Sequence, residues 1–235
     1  VVADYRADKS VDHVLLIDAG DRWTGNPYVD MAEEPGMPII ELMNELGYDY
    51  ATLGNHEFDM GMELLADRID RSKFKNIIAN ADFTATPLSK MAPYVIFKAG
   101  KTRVAMFGLI ANAVNGHPAG KDENFVGAKF FDPVETAVKY RHLRDSSDLF
   151  IALTHTGIDI DTLVAAAVPE LDLIIGGHTH TVIPNGRRDG RVLTTQTGSR
   201  LRYVGVTTVT TKKGKVQGIE NHLVDLDSID PSPKY

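Results

Sequence analysis

Four apolar segments of this chain end in the same way, in a short polar cluster beside glycine. They are Val14–Asp21, Ala51–Glu57, Leu149–His155 and Leu173–His180. In α/β folds, loops at the carboxyl ends of strands converge on one crevice. Glycine permits the tight turns and close backbone approaches that such loops need. The sequence therefore predicts a fold in which four strand ends build one site.

Apolar, β-branched runs alternate with helical patterns in the first half of the chain, whereas the last third lacks helical patterns. The predicted strands are 14–18, 50–53, 76–79, 94–98, 103–109, 148–154, 173–175, 191–196, 203–211 and 216–223. The predicted helices are 37–46, 61–71, 133–146 and 159–168, and the clearest helix start is Asp132–Glu135. Hairpin turns are indicated at Ala99-Gly100, Asp189-Gly190 and Lys213-Gly214. We expect an α/β fold with a mixed sheet system covered by helices.

The length of 235 residues, 43% of them hydrophobic, is sufficient for one sizeable core. We expect one domain over residues 1–224. Residues 225–235 are polar with two prolines, and they are interpreted as a tail or the start of a linker.

The charge and the residue types exclude several classes of function. A net charge of −7 gives no long-range attraction for nucleic acid or an anionic membrane. The absence of cysteine excludes disulfides, zinc–thiolate sites and thiol nucleophiles. No apolar run approaches the roughly 20 residues of a membrane span, and no signal peptide is visible at Val1. The chain begins inside a helical pattern without a cap, so an upstream segment is expected.

The polar residues at the four strand ends form a set of oxygen and imidazole donors without sulfur. They are Asp21, Asn55, His155, His178 and His180. Such a set suits Mn, Zn, Fe, Co or Ni. A carboxylate can bridge two cations, and two cations about 3.5–4 Å apart can clamp a phosphate and generate a hydroxide between them. The sequence therefore predicts a site for two divalent metal ions.

The motifs at these strand ends resemble those of the metallophosphoesterase superfamily. They are Gly20-Asp21, Gly54–Asp59 (G-N-H-E-F-D), His155 and Gly177–His180 (G-H-T-H), followed by Gln196–Gly198. The Phe-Asp after G-N-H-E makes the chain most similar to the N-terminal domain of the 5′-nucleotidase family. The resemblance implies a four-layer sandwich, with two mixed β-sheets flanked by helices and with the first strand missing from this chain.

The same resemblance implies a role for each donor. Asp21 would bridge both metals. Asn55, His155 and His178 would complete metal site two, and His180 would belong to metal site one. The family pattern begins with an Asp-x-His that supplies two further ligands of site one, and no Asp-x-His occurs here. Site one would keep only two ligands, which are too few to hold a metal well.

The resemblance also implies a catalytic pair. His56 would stabilise the transition state or protonate the leaving oxygen, and Asp59 would hold its ring; Asn55 and His56 would contact the substrate. A histidine steered by a carboxylate beside a metal-bound phosphate fits general acid catalysis near neutral pH. A spacing of three permits contact across one turn. Glu57 is expected to accept a hydrogen bond from a ligand or a backbone group.

Three functions are compatible with these motifs. The first is hydrolysis of phosphomonoesters, nucleoside 5′-monophosphates above all, by a two-metal hydroxide mechanism. The second is a 2′,3′-cyclic nucleotide phosphodiesterase, since the same metal pair serves both reactions. The third is a catalytically silent binding or scaffold module that lacks metal site one. The family's base-stacking C-terminal domain is absent from this chain, so we expect it in cis or in trans. Similarity to exported nucleotidases favours a periplasmic or cell-envelope location.

Overall fold

The computed structural model describes residues 1–230, which form a mixed α/β structure. The strands are β1 (Ile17–Asp18), β2 (Tyr50–Ala51), β3 (Lys75–Asn76), β4 (Ala81–Asp82), β5 (Tyr94–Ala99), β6 (Thr102–Ile110), β7 (Lys129–Phe130), β8 (Leu149–His155), β9 (Leu173–Ile175), β10 (Arg187–Asp189), β11 (Val192–Thr195), β12 (Tyr203–Lys212) and β13 (Lys215–Asp225). The helices are α1 (Val2–Ala7), α2 (Pro27–Asp30), α3 (Met37–Leu46), α4 (Met62–Arg71), α5 (Pro133–Tyr140) and α6 (Ile158–Ala167).

The larger sheet has six strands in the order β10-β11-β9-β8-β6-β5. Its four inner strands are parallel to one another, and the two outer strands are antiparallel to their neighbours. All three predicted hairpin turns are confirmed, because they join β5 to β6, β10 to β11 and β12 to β13. A second sheet contains the parallel strands β1-β2-β3.

Three apolar clusters define the order of the layers. Along β6, Phe107 and Leu109 pack with residues of α5 and α6, whereas Met106 packs toward β1, β2 and the β12–β13 hairpin. The alternation follows from the two-residue period of a strand. On the far side of the smaller sheet, helices α3 and α4 bury Ile40 and Leu65. The result is two sheets face to face with helices outside each, as the predicted fold class requires.

The structure refines this fold class in two respects. The three-stranded sheet has only parallel pairs, and the β12–β13 hairpin pairs with neither sheet within residues 1–230. The predicted helix 133–146 begins as expected, since Asp132 accepts a 2.8 Å hydrogen bond from the amide of Glu135. It tightens into a 3₁₀ helix at Arg141–Ser146, a common change at the end of an α-helix.

The proposed boundary at residue 224 nearly coincides with the end of β13 at Asp225. Leu226–Ser228 adds a short 3₁₀ turn, and residues 231–235 of the predicted tail lie outside the described residues. Among residues 1–230, no helix has the length and apolar character needed to cross a bilayer.

Candidate metal centre and active site

Three of the predicted ligands meet where their strands end. Asp21 follows β1, His155 is the last residue of β8, and His178 follows β9. Each offers one donor atom, and the three atoms all lie within 4.8 Å of one another. The structure thus brings two sheets together at their carboxyl edges, which is where the sequence predicts the crevice.

The two ring nitrogens of His155 have different partners. Nδ1 lies 2.7 Å from the carbonyl oxygen of Ala19, so it carries a proton, because a carbonyl oxygen only accepts. Nε2 is buried and lies 2.9 Å from Asp21 Oδ2, without the alignment of a hydrogen bond. A ring held by its Nδ1–H and facing a carboxylate through Nε2 is the usual arrangement of a metal-ligating histidine. Nε2 and Oδ2 are close enough to ligate the same cation.

Asn55 supplies a fourth donor on the loop after β2. Its side chain is buried, and its Oδ1 has no hydrogen-bond partner among the described residues. Buried amide oxygens in proteins nearly always have a partner, so an orphaned one indicates a missing ligand. An amide oxygen, a carboxylate and imidazoles all ligate divalent cations, so the chemistry of Asn55 agrees with that of Asp21, His155 and His178.

His180 is not part of this cluster. It is exposed, and within residues 1–230 the one group of three or more acidic or histidine donors close enough to hold an ion contains Asp21, His155 and His178. The ligand roles remain predictions, and metal site one is incomplete in the described part of the chain.

Several site residues have left-handed backbones. The φ angle is 59° at Asp21, 78° at His178 and 55° at His180. This region costs a non-glycine residue about 1–2 kcal/mol, and such strain clusters at functional sites. The candidate donors are therefore held where the backbone alone would not place them.

Two glycines allow the loops to approach. A Cβ atom on Gly54 would lie 2.1 Å from Asp21 Oδ1. A Cβ atom on Gly177 would lie 2.8 Å from the carbonyl oxygen of Ala19 and 2.9 Å from His155 Nδ1. Both distances are inside van der Waals contact, so any side chain at either position would push the donors apart.

Glu57 joins the loops after β1 and β2, as expected of a backbone acceptor. Its buried carboxylate accepts hydrogen bonds from the amides of Asp21 and Arg22, each at 2.8 Å, and from Gly54 at 2.5 Å. Burial raises the pKa of Glu57, and the nearby charge of Arg22 offsets only part of that rise.

Arg22 is a structural residue of the site that the sequence analysis did not predict. Its buried guanidinium donates to Asp18 Oδ1 and to Asn76 Oδ1, both at 2.9 Å, and to the carbonyl oxygen of Thr52. Arg22 thereby connects β1, β3 and the residue that follows β2 in the smaller sheet, next to Asp21 in the chain. The available signal was the pair of opposite charges four residues apart, at Asp18 and Arg22, on either side of Gly20-Asp21.

His56 and Asp59 form the predicted pair. His56 Nδ1 lies 2.6 Å from Asp59 Oδ2, so Nδ1–H donates and Nε2 is left for another partner. The two residues bracket a 3₁₀ helix in which positions three apart eclipse. Phe58 anchors that helix by packing against Phe83, Phe125 and Phe130.

His56 also contacts the metal cluster through its backbone. Its amide donates to Asp21 Oδ1 at 2.9 Å, and its ring is about half exposed. Burial lowers the pKa of His56, but the hydrogen bond to Asp59 and the charge of Asp21 outweigh it, so the net direction is upward. The ring is thus easier to protonate than a free imidazole.

Two titratable groups of the cluster, Asp21 and His178, are shifted toward the forms that bind metal, whereas His155 is not. Burial lowers the pKa of His155, but its interactions with Asp21 and with the carbonyl oxygen of Ala19 outweigh that effect, so the net direction is upward. Burial raises the pKa of Asp21, but the interactions with His155 and with the His56 amide bring the net value below the usual range. Burial and the neighbouring charge of His155 lower the pKa of His178. A carboxylate and a neutral imidazole are the forms in which these groups ligate metals.

Comparison with known proteins identifies the family of the chain. The model of the calcineurin-like phosphoesterases matches residues 2–182, a range that contains all the predicted site residues. The chain belongs to the calcineurin-like phosphoesterase family. Its candidate site therefore lies within the part of the chain that defines the family.

This phosphoesterase has curated relatives at about one third identity. It is 31% identical to the trifunctional nucleotide phosphoesterase protein YfkN of Bacillus subtilis, over 73% of this chain and 14% of the relative. It is also 31% identical to the 2′,3′-cyclic-nucleotide 2′-phosphodiesterase/3′-nucleotidase of Haemophilus influenzae, over 77% of this chain and 31% of the relative. The chain thus spans less than a third of the length of these two relatives.

A solved structure with the same fold is a 5′-nucleotidase precursor from Thermus thermophilus. It superimposes with a TM-score of 0.82 at 26% identity, over 95% of this chain and 47% of that one. The agreement over nearly the whole phosphoesterase chain confirms the predicted fold class.

Proposed function

We propose that this calcineurin-like phosphoesterase chain hydrolyses phosphomonoesters in a metal-dependent reaction, with nucleoside 5′-monophosphates as the substrate class. The observation that carries the proposal is the convergence of Asp21, His155 and His178 beside the His56–Asp59 pair. Relatives named 5′-nucleotidase in Bos taurus and Vibrio cholerae, at 32% and 34% identity, support the choice of substrate.

Asp21, Asn55, His155 and His178 would hold a divalent cation in metal site two, and we expect this cation to be Mn, Zn, Fe, Co or Ni. When bound, the metal supplies Lewis-acid polarisation of a phosphoryl oxygen and lowers the pKa of a water molecule. A second cation would share Asp21 and use His180, and it would need donors beyond these two.

His56 would act on the leaving group. Since Nδ1–H is committed to Asp59, Nε2 is the atom that would hold a proton and deliver it to the departing oxygen. Asn55 and His56 would also contact the substrate phosphate. The backbone oxygen of Asp59 accepts a 3.2 Å hydrogen bond from Asn124, which helps to fix the carboxylate that orients the ring.

The test is His56→Ala in the full-length protein, with two substrates. Loss of a general acid costs roughly 10²–10⁴-fold in kcat. We expect a loss of that size for AMP, whose alkoxide leaves poorly, and a much smaller loss for p-nitrophenyl phosphate.

Metal content, measured by mass spectrometry, should not change. His142→Ala, at an exposed histidine, is the matched control. Equal losses on both substrates, or loss of metal in parallel with activity, would refute the role of His56.

A cyclic phosphodiesterase is the second candidate, and the name of the Haemophilus influenzae relative is the observation that favours it. Parallel assays on 5′-AMP and 2′,3′-cyclic AMP separate the two reactions. The silent-module hypothesis predicts no turnover of either substrate and less than one metal ion per chain. A base-recognition domain in cis or in trans, and a periplasmic or cell-envelope location, remain parts of the proposal.

A further inference from the structure

Gln196 follows β11 and is almost completely buried. Its Oε1 accepts hydrogen bonds from the amide of Thr181 at 2.5 Å and from the hydroxyl of Thr179 at 3.1 Å. Its Nε2 donates to the carbonyl oxygen of Gly177 at 2.9 Å. Every side-chain hydrogen bond found for Gln196 therefore ends on the loop 177–181.

This loop has little regular structure of its own. β9 ends at Ile175, and the next pairing is the isolated bridge between Val182 and Thr197. Between them, His178 and His180 both occupy the left-handed region. Gln196 binds one backbone group on either side of these two strained residues, at Gly177 and Thr181, so its amide spans the segment that carries the candidate ligand.

Thr179 connects Gln196 to the segment that follows His155 at the end of β8. Its hydroxyl oxygen accepts a 3.2 Å hydrogen bond from the amide of Ile158, the first residue of α6. Its methyl group faces Gly157, where a Cβ atom would lie only 2.7 Å away. Through Thr179, Gln196 links the loops after β8 and β9, which bear His155 and His178.

We propose that Gln196 is a positioning residue that holds His178 at metal-binding distance from Asp21 and His155. The proposal rests on the proposed function, because it assumes that these three side chains bind a metal. Gln196 touches neither metal nor substrate and acts through the backbone of loop 177–181. Mutation of a side chain that orients a metal ligand typically lowers metal affinity or activity by about 10–100-fold.

The test is Gln196→Met, which keeps the approximate volume and removes all three hydrogen bonds. Co²⁺ is titrated into the full-length protein by calorimetry, and the visible spectrum of the Co²⁺ form is recorded. We expect a Kd raised roughly 10–100-fold and a spectrum that approaches that of His178→Ala. Gln217→Met, the same change at an exposed position on β13, should leave both unchanged.

A second readout uses the metal-free protein. In ¹H–¹⁵N spectra of the imidazole rings, Gln196→Met should shift the His178 signals and leave those of His155 in place, because His155 is held by Ala19. If Gln196→Met does not fold, Thr179→Val tests the same loop at an exposed position, with a smaller expected rise in Kd.

The outcomes separate this inference from the proposed function. Lower thermal stability with wild-type Kd, Co²⁺ spectrum and His178 signals would mean that Gln196 is only structural, and would overturn the inference. A wild-type protein that binds Co²⁺ but hydrolyses no phosphoester would contradict the proposed function and leave the inference standing.

Discussion

The strained backbone at His178 indicates that this position is selected for its side chain rather than for stability. A left-handed φ of 78° is readily adopted by glycine and costs other residues about 1–2 kcal/mol. A ring that is displaced or lost at this position removes a donor from the cluster. The strain therefore supports the predicted ligand role of His178.

This strain is measurable by comparing His178→Gly with His178→Ala in the metal-free protein. Both variants lose the ring, so their difference reports the backbone. We expect His178→Gly to be the more stable by roughly 1 kcal/mol in urea unfolding. The control is the same pair at His142, in a 3₁₀ helix, where alanine should be the more stable. If alanine is also the more stable at position 178, the ligand is not strained.

At the scale of single residues, the sequence predicts the candidate metal donors better than it predicts the side chains that hold the donor loops in place. Asp21, His155 and His178 could be predicted because metal chemistry restricts the residue types, and each follows an apolar run. Apart from the local ion pair of Arg22 with Asp18, the contacts of Arg22 and Gln196 could not be predicted, because their partners are backbone, amide or hydroxyl groups distant in sequence. Arg22 reaches Asn76, 54 positions away, and no local pattern encodes such a contact.

Among the structural elements, the turn before β12 has a strained backbone, because its central residues are not those that its conformation favours. Arg202 donates a 3.2 Å backbone hydrogen bond to Ser199, and the two central residues, Arg200 and Leu201, have φ angles of 58° and 53°. Positive φ at both central positions is typical of a type I′ turn, which favours Asn-Gly. The turn between β12 and β13 follows the rule more closely, with Lys213-Gly214 at its centre.

Leu201→Gly should therefore stabilise the protein. Leu201 is 69% exposed, so the change removes little packing while it relieves the left-handed strain. We expect a gain of roughly 1 kcal/mol, equivalent to about 2–4 °C in Tm for a chain of this size. Leu163→Gly is the matched control, since Leu163 is also exposed but lies in α6, where glycine costs about 1 kcal/mol. An unchanged or lower Tm for Leu201→Gly would contradict the assignment of strain to this turn.

Among the helices and strands, hydrophobic periodicity predicts the longer elements and misses the shortest ones. All ten predicted strands and four predicted helices are present, and α3 matches its predicted limits at Met37 and Leu46. The elements that were missed are α2, β4, β7 and β10, which have two to four residues each. Elements of that length contain at most two periods of a strand or one turn of a helix, so tertiary contacts decide their conformation.

For the whole molecule, the order of the layers could not be derived from the pattern alone. Between Val104 and Ile110 every residue of β6 is buried, so the strand has no polar face that would identify its surroundings. The resemblance to a known family supplied the four-layer arrangement instead. The structure brings three of the five predicted donors together at strand ends, namely Asp21, His155 and His178. Their role as metal ligands stays a prediction.

The two ends of the larger sheet differ in chemistry. Predicted metal donors lie at the carboxyl ends of its strands, whereas ion pairs lie at the other end. Asp148, just before β8, accepts hydrogen bonds from the side chain of Arg103 at 3.0 Å and from Lys215 at 2.6 Å. Because Lys215 begins β13, this carboxylate joins the β12–β13 hairpin to the larger sheet.

The attachment of the hairpin should depend on pH through Asp148. Hydrogen bonds from Arg103 and Lys215 hold the pKa of Asp148 well below its usual range, so the folded state binds its proton more weakly than the unfolded state does. The resulting stability is present above the unfolded pKa of about 4 and is lost as the pH falls below it.

We therefore expect Asp148→Asn to lower the unfolding free energy by roughly 1–2 kcal/mol at pH 7, a figure that allows for the exposure of both cations. In urea unfolding, that difference from the wild type should shrink steadily between about pH 4 and pH 2. Asp145→Asn, at an exposed aspartate nearby, should show no such trend. A difference that is constant with pH would mean that packing, and not charge, secures the hairpin.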